Sequence, residues 1–220
     1  MPALAHAARA PLRVLRDRRG VAALELAAAV PALLAALFGI IDVAGYVATA
    51  NRLQRLAADV ANIGSQFDGL RGCMAVSKGN EVGVLFLAAK EIAKPLFFPE
   101  PADGAVSVAG GGATTVPAAA GGLIVTSVAD KGSGPRIAWQ AYAGIAPINS
   151  RLGTGTAAVQ LPTGFSLRPG DDTLFVEVFF TFQPYLLSGG WTGTGNPTVT
   201  AYSSAVFRPR LGALTTLDPC

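Results

Sequence analysis

The sequence predicts an α+β protein: a long N-terminal helix that crosses a membrane, then a second helix packed on an antiparallel sheet of about 4–5 strands. Three observations carry this expectation. Val21–Val47 is apolar apart from Glu25 and Asp42. Apolar residues then recur at helical spacing as far as Phe67. From residue 96 onward the pattern changes to short β-type runs separated by Gly- and Pro-rich links.

Composition sets the bounds. The 220 residues are 51% hydrophobic and 14% charged, with a mean hydropathy of +0.44. This is more apolar than an ordinary soluble domain, so disorder of the whole chain is excluded. A polytopic membrane protein is excluded as well, because one segment alone is long enough to span a bilayer. The net charge of +3 is unevenly placed. Residues 1–20 hold five arginines against Asp17, leaving 12 basic and 13 acidic side chains in the other 200 residues. No basic face remains to argue for nucleic acid. The single histidine, His6, lies in the same N-terminal tail. Histidine-based nucleophile systems and the usual zinc sites are therefore unavailable beyond it.

The first element is the apolar run. Twenty-seven helical residues rise about 40 Å, enough to cross a hydrocarbon core of about 30 Å. Five arginines precede it, and only Arg52 and Arg55 follow closely, which puts the N-terminus in the cytoplasm. The residues admit three readings. A cleavable secretory signal could end at Ala48-Thr49-Ala50, although the apolar run exceeds the usual h-region. An uncleaved signal anchor is the second. The third turns on Arg18-Arg19-Gly20-Val21-Ala22-Ala23-Leu24-Glu25. A carboxylate inside an apolar run costs several kcal/mol unless something compensates. Cleavage after Gly20 would give Val21 a free α-ammonium, which Glu25 of a neighbouring subunit could pair with. Pro31, inside the run, removes one helical hydrogen bond and should bend the helix.

This arrangement resembles the class III signal of type IV pilins and pseudopilins. More closely, it resembles the start of the TadE/TadF family, minor pseudopilins of tight-adherence (Flp) pili. Arg-Arg-Gly20, Ala23-Leu24-Glu25, Pro31, Phe38-Gly39-Ile40-Ile41-Asp42 and Leu53-Gln54 carry the likeness. Leu26 departs from it, standing where the family more often has an aromatic. Looser likenesses in the strands extend it over most of residues 15–211. The resemblance implies a cytoplasmic leader, 1–20, removed by a prepilin peptidase between Gly20 and Val21, with N-methylation of Val21. It implies a pilin-like architecture: a helix over 21–67, membrane-spanning over about 21–47, and a periplasmic head, 68–220.

The second half of the helix is amphipathic. Leu53, Leu56, Val60, Ile63 and Phe67 form a heptad stripe, expected to pack on the chain's own head or on a partner helix. A second helix is expected over Glu81–Lys94, with Asn80 as N-cap and Pro95 as terminator. Val82, Leu85, Phe86, Ala89 and Ala93 mark its buried face. Strands are expected at Ala105–Ala109, Leu123–Ala129, Ile137–Tyr142, Leu174–Gln183 and Thr198–Phe207. Gly110–Gly122 reads as a low-complexity loop, and Thr192–Pro197 as a turn.

Few residues in the head suggest chemistry. Cys73 and Cys220 are the only thiols and are expected to pair in an oxidising compartment; two free thiols, or an intermolecular link through Cys220, are the alternatives. Asp171, Asp172 and Glu177 form the tightest acid group, but Pro169-Gly170-Asp171-Asp172 is a turn leading into a strand. Alternation puts Glu177 on the face of Phe175 and Phe179, with a buried partner such as an arginine. Gly153–Ala158 only superficially matches a dinucleotide fingerprint, since no strand precedes it. Trp139, Tyr142 and Trp191 read as core or sheet cover. No catalytic residue, metal or cofactor is expected.

The function implied by the resemblance is non-catalytic: helping prime or assemble Flp pili. The implied partners are the prepilin peptidase, the major Flp pilin, other minor pseudopilins, the inner-membrane assembly platform and membrane lipid. The protein would sit in the bacterial inner membrane as a single-pass protein, or be carried in the pilus at the cell surface. The alternative is a single-pass, signal-anchored periplasmic enzyme or ligand-binding module outside any pilus.

Overall fold

A computed structural model describes residues 18–98, 120–144, 149–155, 159–184 and 198–220. The first element is a 47-residue helix, α1 (Arg18–Gly64), about 70 Å long. Its two halves meet different surroundings. Every residue from Gly20 to Leu34 is exposed, whereas Leu53, Leu56, Ala57, Val60 and Ala61 are buried. The heptad stripe therefore packs on the chain's own head. Helix α1 ends at Gly64, three residues before the expected limit at Phe67. There Leu174 fills the space a side chain at position 64 would need, and the Ser65 hydroxyl donates to the Asn62 carbonyl at 2.7 Å. Phe67 still packs on the core, but from a turn.

The second helix, α2 (Val82–Ala93), follows a two-residue strand, β1 (Leu70–Arg71). Its buried face is the expected one. Its N-cap is Glu81, not Asn80. The Glu81 side chain turns back to collect N–H groups from the preceding loop, which fixes the helix start one residue later. Lys90 lies in the last turn, where a cation suits the helix dipole.

Four strands form one antiparallel sheet in the order β3-β2-β4-β5: β2 (Ala120–Asp130), β3 (Pro135–Gly144), β4 (Asp172–Phe182) and β5 (Val199–Phe207). Their expected counterparts overlap each of them. The Ala105–Ala109 strand, the whole Thr192–Pro197 turn and most of the Gly110–Gly122 loop lie outside the described residues. The end of that loop, from Ala120, belongs to β2. Gly121 makes this possible, because a Cβ there would collide with the Phe98 ring at 2.3 Å. The β2–β3 hairpin is held by Asp130, whose Oδ1 accepts from the Gly132 and Gly134 N–H groups at 2.7 and 3.1 Å.

Both faces of the sheet are covered. Leu123, Val125, Leu174, Val176, Val178 and Phe180 meet α1 and α2 in the main core. On the other face, Phe175 and Val128 pack with Leu152 and Leu167 from the β3–β4 connection, and Phe165 meets Phe175 edge-on. Strand β4 is central and apolar on both sides, which explains its unbroken buried run. The C-terminal tail returns to pair a last short strand, β6 (Leu217–Asp218), in parallel with β1.

Candidate functional site

Gly20, Val21, Glu25 and Pro31 all lie on the exposed half of α1. Gly20 has no neighbour within 4 Å of a built Cβ, so the backbone at the Gly20–Val21 bond is open on that side. Glu25 is four residues beyond Val21, hence one turn along the same face. Around it Leu24 (70% exposed), Leu26, Val30, Leu33 and Leu37 offer apolar surface with no protein cover. Helix α1 continues through Pro31, whose missing N–H leaves the Ala27 carbonyl without its helical donor. The helix is long and apolar enough to cross a membrane. What the arrangement offers is a bare apolar rod with one carboxylate near its start.

Cys73 and Cys220 are joined, at a Cα separation of 5.4 Å, at the opposite end of the molecule. Gly64 alone is about 66 Å along α1 from Gly20. The disulfide closes a C-terminal clamp. Arg71 Nη2 donates to the Cys220 carbonyl at 3.0 Å, and the Gly72 N–H donates to that of Asp218 at 2.9 Å. Ser127 Oγ and Trp139 Nε1 both donate to the Leu214 carbonyl at 2.7 Å, while the Leu214 N–H donates to Asp172. Trp139 is thus a core residue with its polar atom satisfied.

Beside this clamp lies a carboxylate that sequence reasoning missed. Glu81 is fully buried. It accepts from the Ser77 hydroxyl at 2.8 Å and from the N–H groups of Ser77, Lys78 and Gly79 at 3.1, 2.6 and 2.7 Å. Arg71 stands 3.9 Å away. Burial pushes the Glu81 carboxyl up, but the hydrogen bonds from Ser77, Lys78 and Gly79 outweigh it and hold it at about 2. The signal available in the sequence was the Ser-Lys-Gly-Asn turn preceding an acid at a helix start.

The acid group around residue 171 does not converge. Asp171 pairs with Arg208 at 2.7 Å, and Asp172 holds Leu214. Glu177 is buried on the face of Phe175 and Phe179, as alternation requires, but its partner is not an arginine side chain. It accepts from the Ser150 hydroxyl, from the Arg151 N–H at 2.9 Å and from the Tyr202 hydroxyl at 3.1 Å. The Arg151 guanidinium instead stacks 3.7 Å from the Tyr202 ring centroid. Hydroxyls and a backbone N–H can satisfy a strand carboxylate without the desolvation cost of a second charge. Glu177 therefore ties the β3–β4 connection to the sheet. Gly153 and Gly155 have positive φ and belong to that connection, not to a strand–helix turn. Among the described residues no three His, Cys, Asp or Glu side chains gather as metal ligands would.

Residues 20–62 match the family of TadE-like proteins, a family of the tight-adherence pilus system. No curated protein and no solved structure matches the chain. The match begins at Gly20, includes the whole exposed half of α1 and ends where α1 is locked into the head. The chain thus carries a TadE-like N-terminal segment on a disulfide-clamped α+β head.

Proposed function

We propose that this protein is a TadE-like minor pseudopilin that helps prime or assemble tight-adherence pili without catalysing a reaction. One observation carries the reading: a TadE-like helix, matched from Gly20 onward, whose first half extends bare and apolar from a folded head. Such a rod needs lipid or other apolar helices around it. In a membrane it is a single-pass anchor, and in an assembly it is the surface that packs on neighbouring subunits. A prepilin peptidase would cut between Gly20 and Val21 on the cytoplasmic side, leaving the head in the periplasm. Val21 and Glu25 would then pair between subunits, with the major Flp pilin, other minor pseudopilins and the assembly platform as partners.

Intact mass and N-terminal sequencing of the protein from its native membrane test this directly. The expected result is a start at Val21 carrying an added methyl group. A start at Met1 would leave an uncleaved anchor, and one at Asn51 a secreted domain; either would remove the pseudopilin reading.

A further inference from the structure

Helix α1 is covered along one heptad stripe and bare along the stripe opposite. Gly39, Asp42, Tyr46, Thr49, Leu53 and Leu56 recur at spacings of 3, 4, 3, 4 and 3. Gly39 and Thr49 are half-buried, Asp42 is 6% exposed, and Leu53 and Leu56 are buried. The Tyr46 ring lies 6.3 Å from that of Phe182, and Pro184, just past β4, is buried. Protein therefore lies against this side of α1 well below the main core.

The same spacing recurs two residues away, at positions 26, 30, 33, 37, 40, 44, 47, 51 and 54. Two residues turn a helix by about 200°, so this stripe faces away from the head. All nine positions are exposed, Leu26, Leu33 and Ile40 by 64–68%. The next two positions of the pattern are Ala58, half-buried, and Ala61, buried, so the stripe ends where the head closes over it. It is about 42 Å long. Four unbroken heptads of this kind are the pattern of a helix–helix seam. The stripe carries no charge and is apolar until its last two positions, Asn51 and Gln54. Ala22, Ala29 and Ala36 flank it at seven-residue intervals, which lets a second backbone come close. Ile40, Ala44, Val47 and Asn51 line an open apolar groove that a partner's side chains can enter.

We propose that this stripe is the seam of a parallel, in-register pair formed with a second copy of this chain. The inference rests on the reading of α1 as a membrane-spanning helix, which gives both copies one direction and one depth. In such a pair each seam residue meets its own equivalent. Apolar side chains then meet apolar ones, and Asn51 meets Asn51 of the partner subunit. An amide both donates and accepts, so the two satisfy each other. A lone asparagine at this kind of position is a known device for fixing two strands in register. An unrelated apolar helix would offer Asn51 and Gln54 no such match. Because each head packs on the far side of its own helix, the two heads lie on the outside of the pair and leave the seam clear. Glu25 lies off the seam and stays available to a further neighbour.

Cysteine scanning of the full chain in its native membrane tests the pairing. Cys73 and Cys220 are bonded to each other, so an introduced cysteine is the single free thiol. Leu33→Cys, Leu37→Cys and Ile40→Cys lie on the seam, while Ala28→Cys and Ala32→Cys are exposed on the opposite face. None of the five touches the head core. On mild oxidation the three seam variants should form a disulfide dimer of twice the chain mass, at least about fivefold more than the two others. Equal yields at all five sites, high or low, would overturn the proposal. So would an adduct of any other mass at the seam, which would make a different protein its occupant. Adding Asn51→Lys to the Leu37→Cys chain would set two like charges against each other, and the dimer yield should fall severalfold. An unchanged yield would overturn the Asn51 pairing and the register it sets. Retention of the variants after an alkaline carbonate wash reports the span itself. A flat scan in retained protein thus defeats the pairing alone, whereas release by the wash defeats the membrane reading and the pairing together.

Discussion

The Glu81 carboxylate fixes the loop between Cys73 and α2 by accepting four hydrogen bonds from three consecutive residues. Those donors hold it ionised down to about pH 2, against an ordinary value of 4.5. A depressed folded-state pKa stabilises the fold only while the group is ionised. The contribution is complete above about pH 4.5 and is lost as the pH falls from there towards 2. Glu81→Gln keeps the shape but not the charge, and it presents an NH2 group to N–H donors. The variant should therefore melt well below the unaltered protein at pH 7, and the gap should narrow as the pH is lowered to about 2.5. Thermal melts of both proteins across that range check it; a gap independent of pH would assign the effect to shape alone.

At the scale of elements, the C-terminal clamp depends on its covalent link. Strands β1 and β6 pair over only two residues each, too few to persist alone. The Cys73–Cys220 bond closes a separation of 147 residues, for which loop entropy predicts on the order of 5 kcal/mol and measured cases give about 2–5. The double variant Cys73→Ser/Cys220→Ser should lose stability in that range, read as a lower urea midpoint in detergent. Reductant should bring the unaltered protein to the same midpoint; an unchanged midpoint would show that the tail is held by Leu214 and its three polar contacts. This clamp also shows where sequence patterns stop. Helix α2 is legible from its 3.6-residue period, and the four sheet strands from runs rich in β-branched and aromatic residues between Gly- and Pro-rich links. A two-residue parallel pair has no period, so β1 and β6 were invisible. Helix α1 stops three residues short of the heptad pattern, because Phe67 continues the spacing while already in a turn. The arginine expected beside Glu177 failed for a different reason: sequence shows that a buried acid needs donors, but not that hydroxyls and a main-chain N–H will supply them.

At the scale of the whole molecule, the chain divides its apolar surface between two uses. The second half of α1, together with α2, closes the core of the head, and its cohesion is internal. The first half contributes nothing to that core, and over Gly20–Leu34 it leaves about 20 Å of uninterrupted exposed helix to be covered by something else. Glu25 belongs to this second use. No residue of the head core packs near it, so its removal should leave the melting of the head unchanged. Within a bundle of such helices the carboxylate would be desolvated, at a cost of several kcal/mol unless a positive group meets it. A free ammonium on Val21 of the neighbouring subunit would be that group. Glu25→Ala removes the pairing but leaves Gly20, Val21 and the basic residues before them in place. The expected strain therefore still processes the protein at Gly20–Val21, by intact mass, keeps it in the membrane and assembles fewer pili. Normal piliation in that strain would show that the carboxylate has no part in subunit contact, even if the cleavage itself is as proposed.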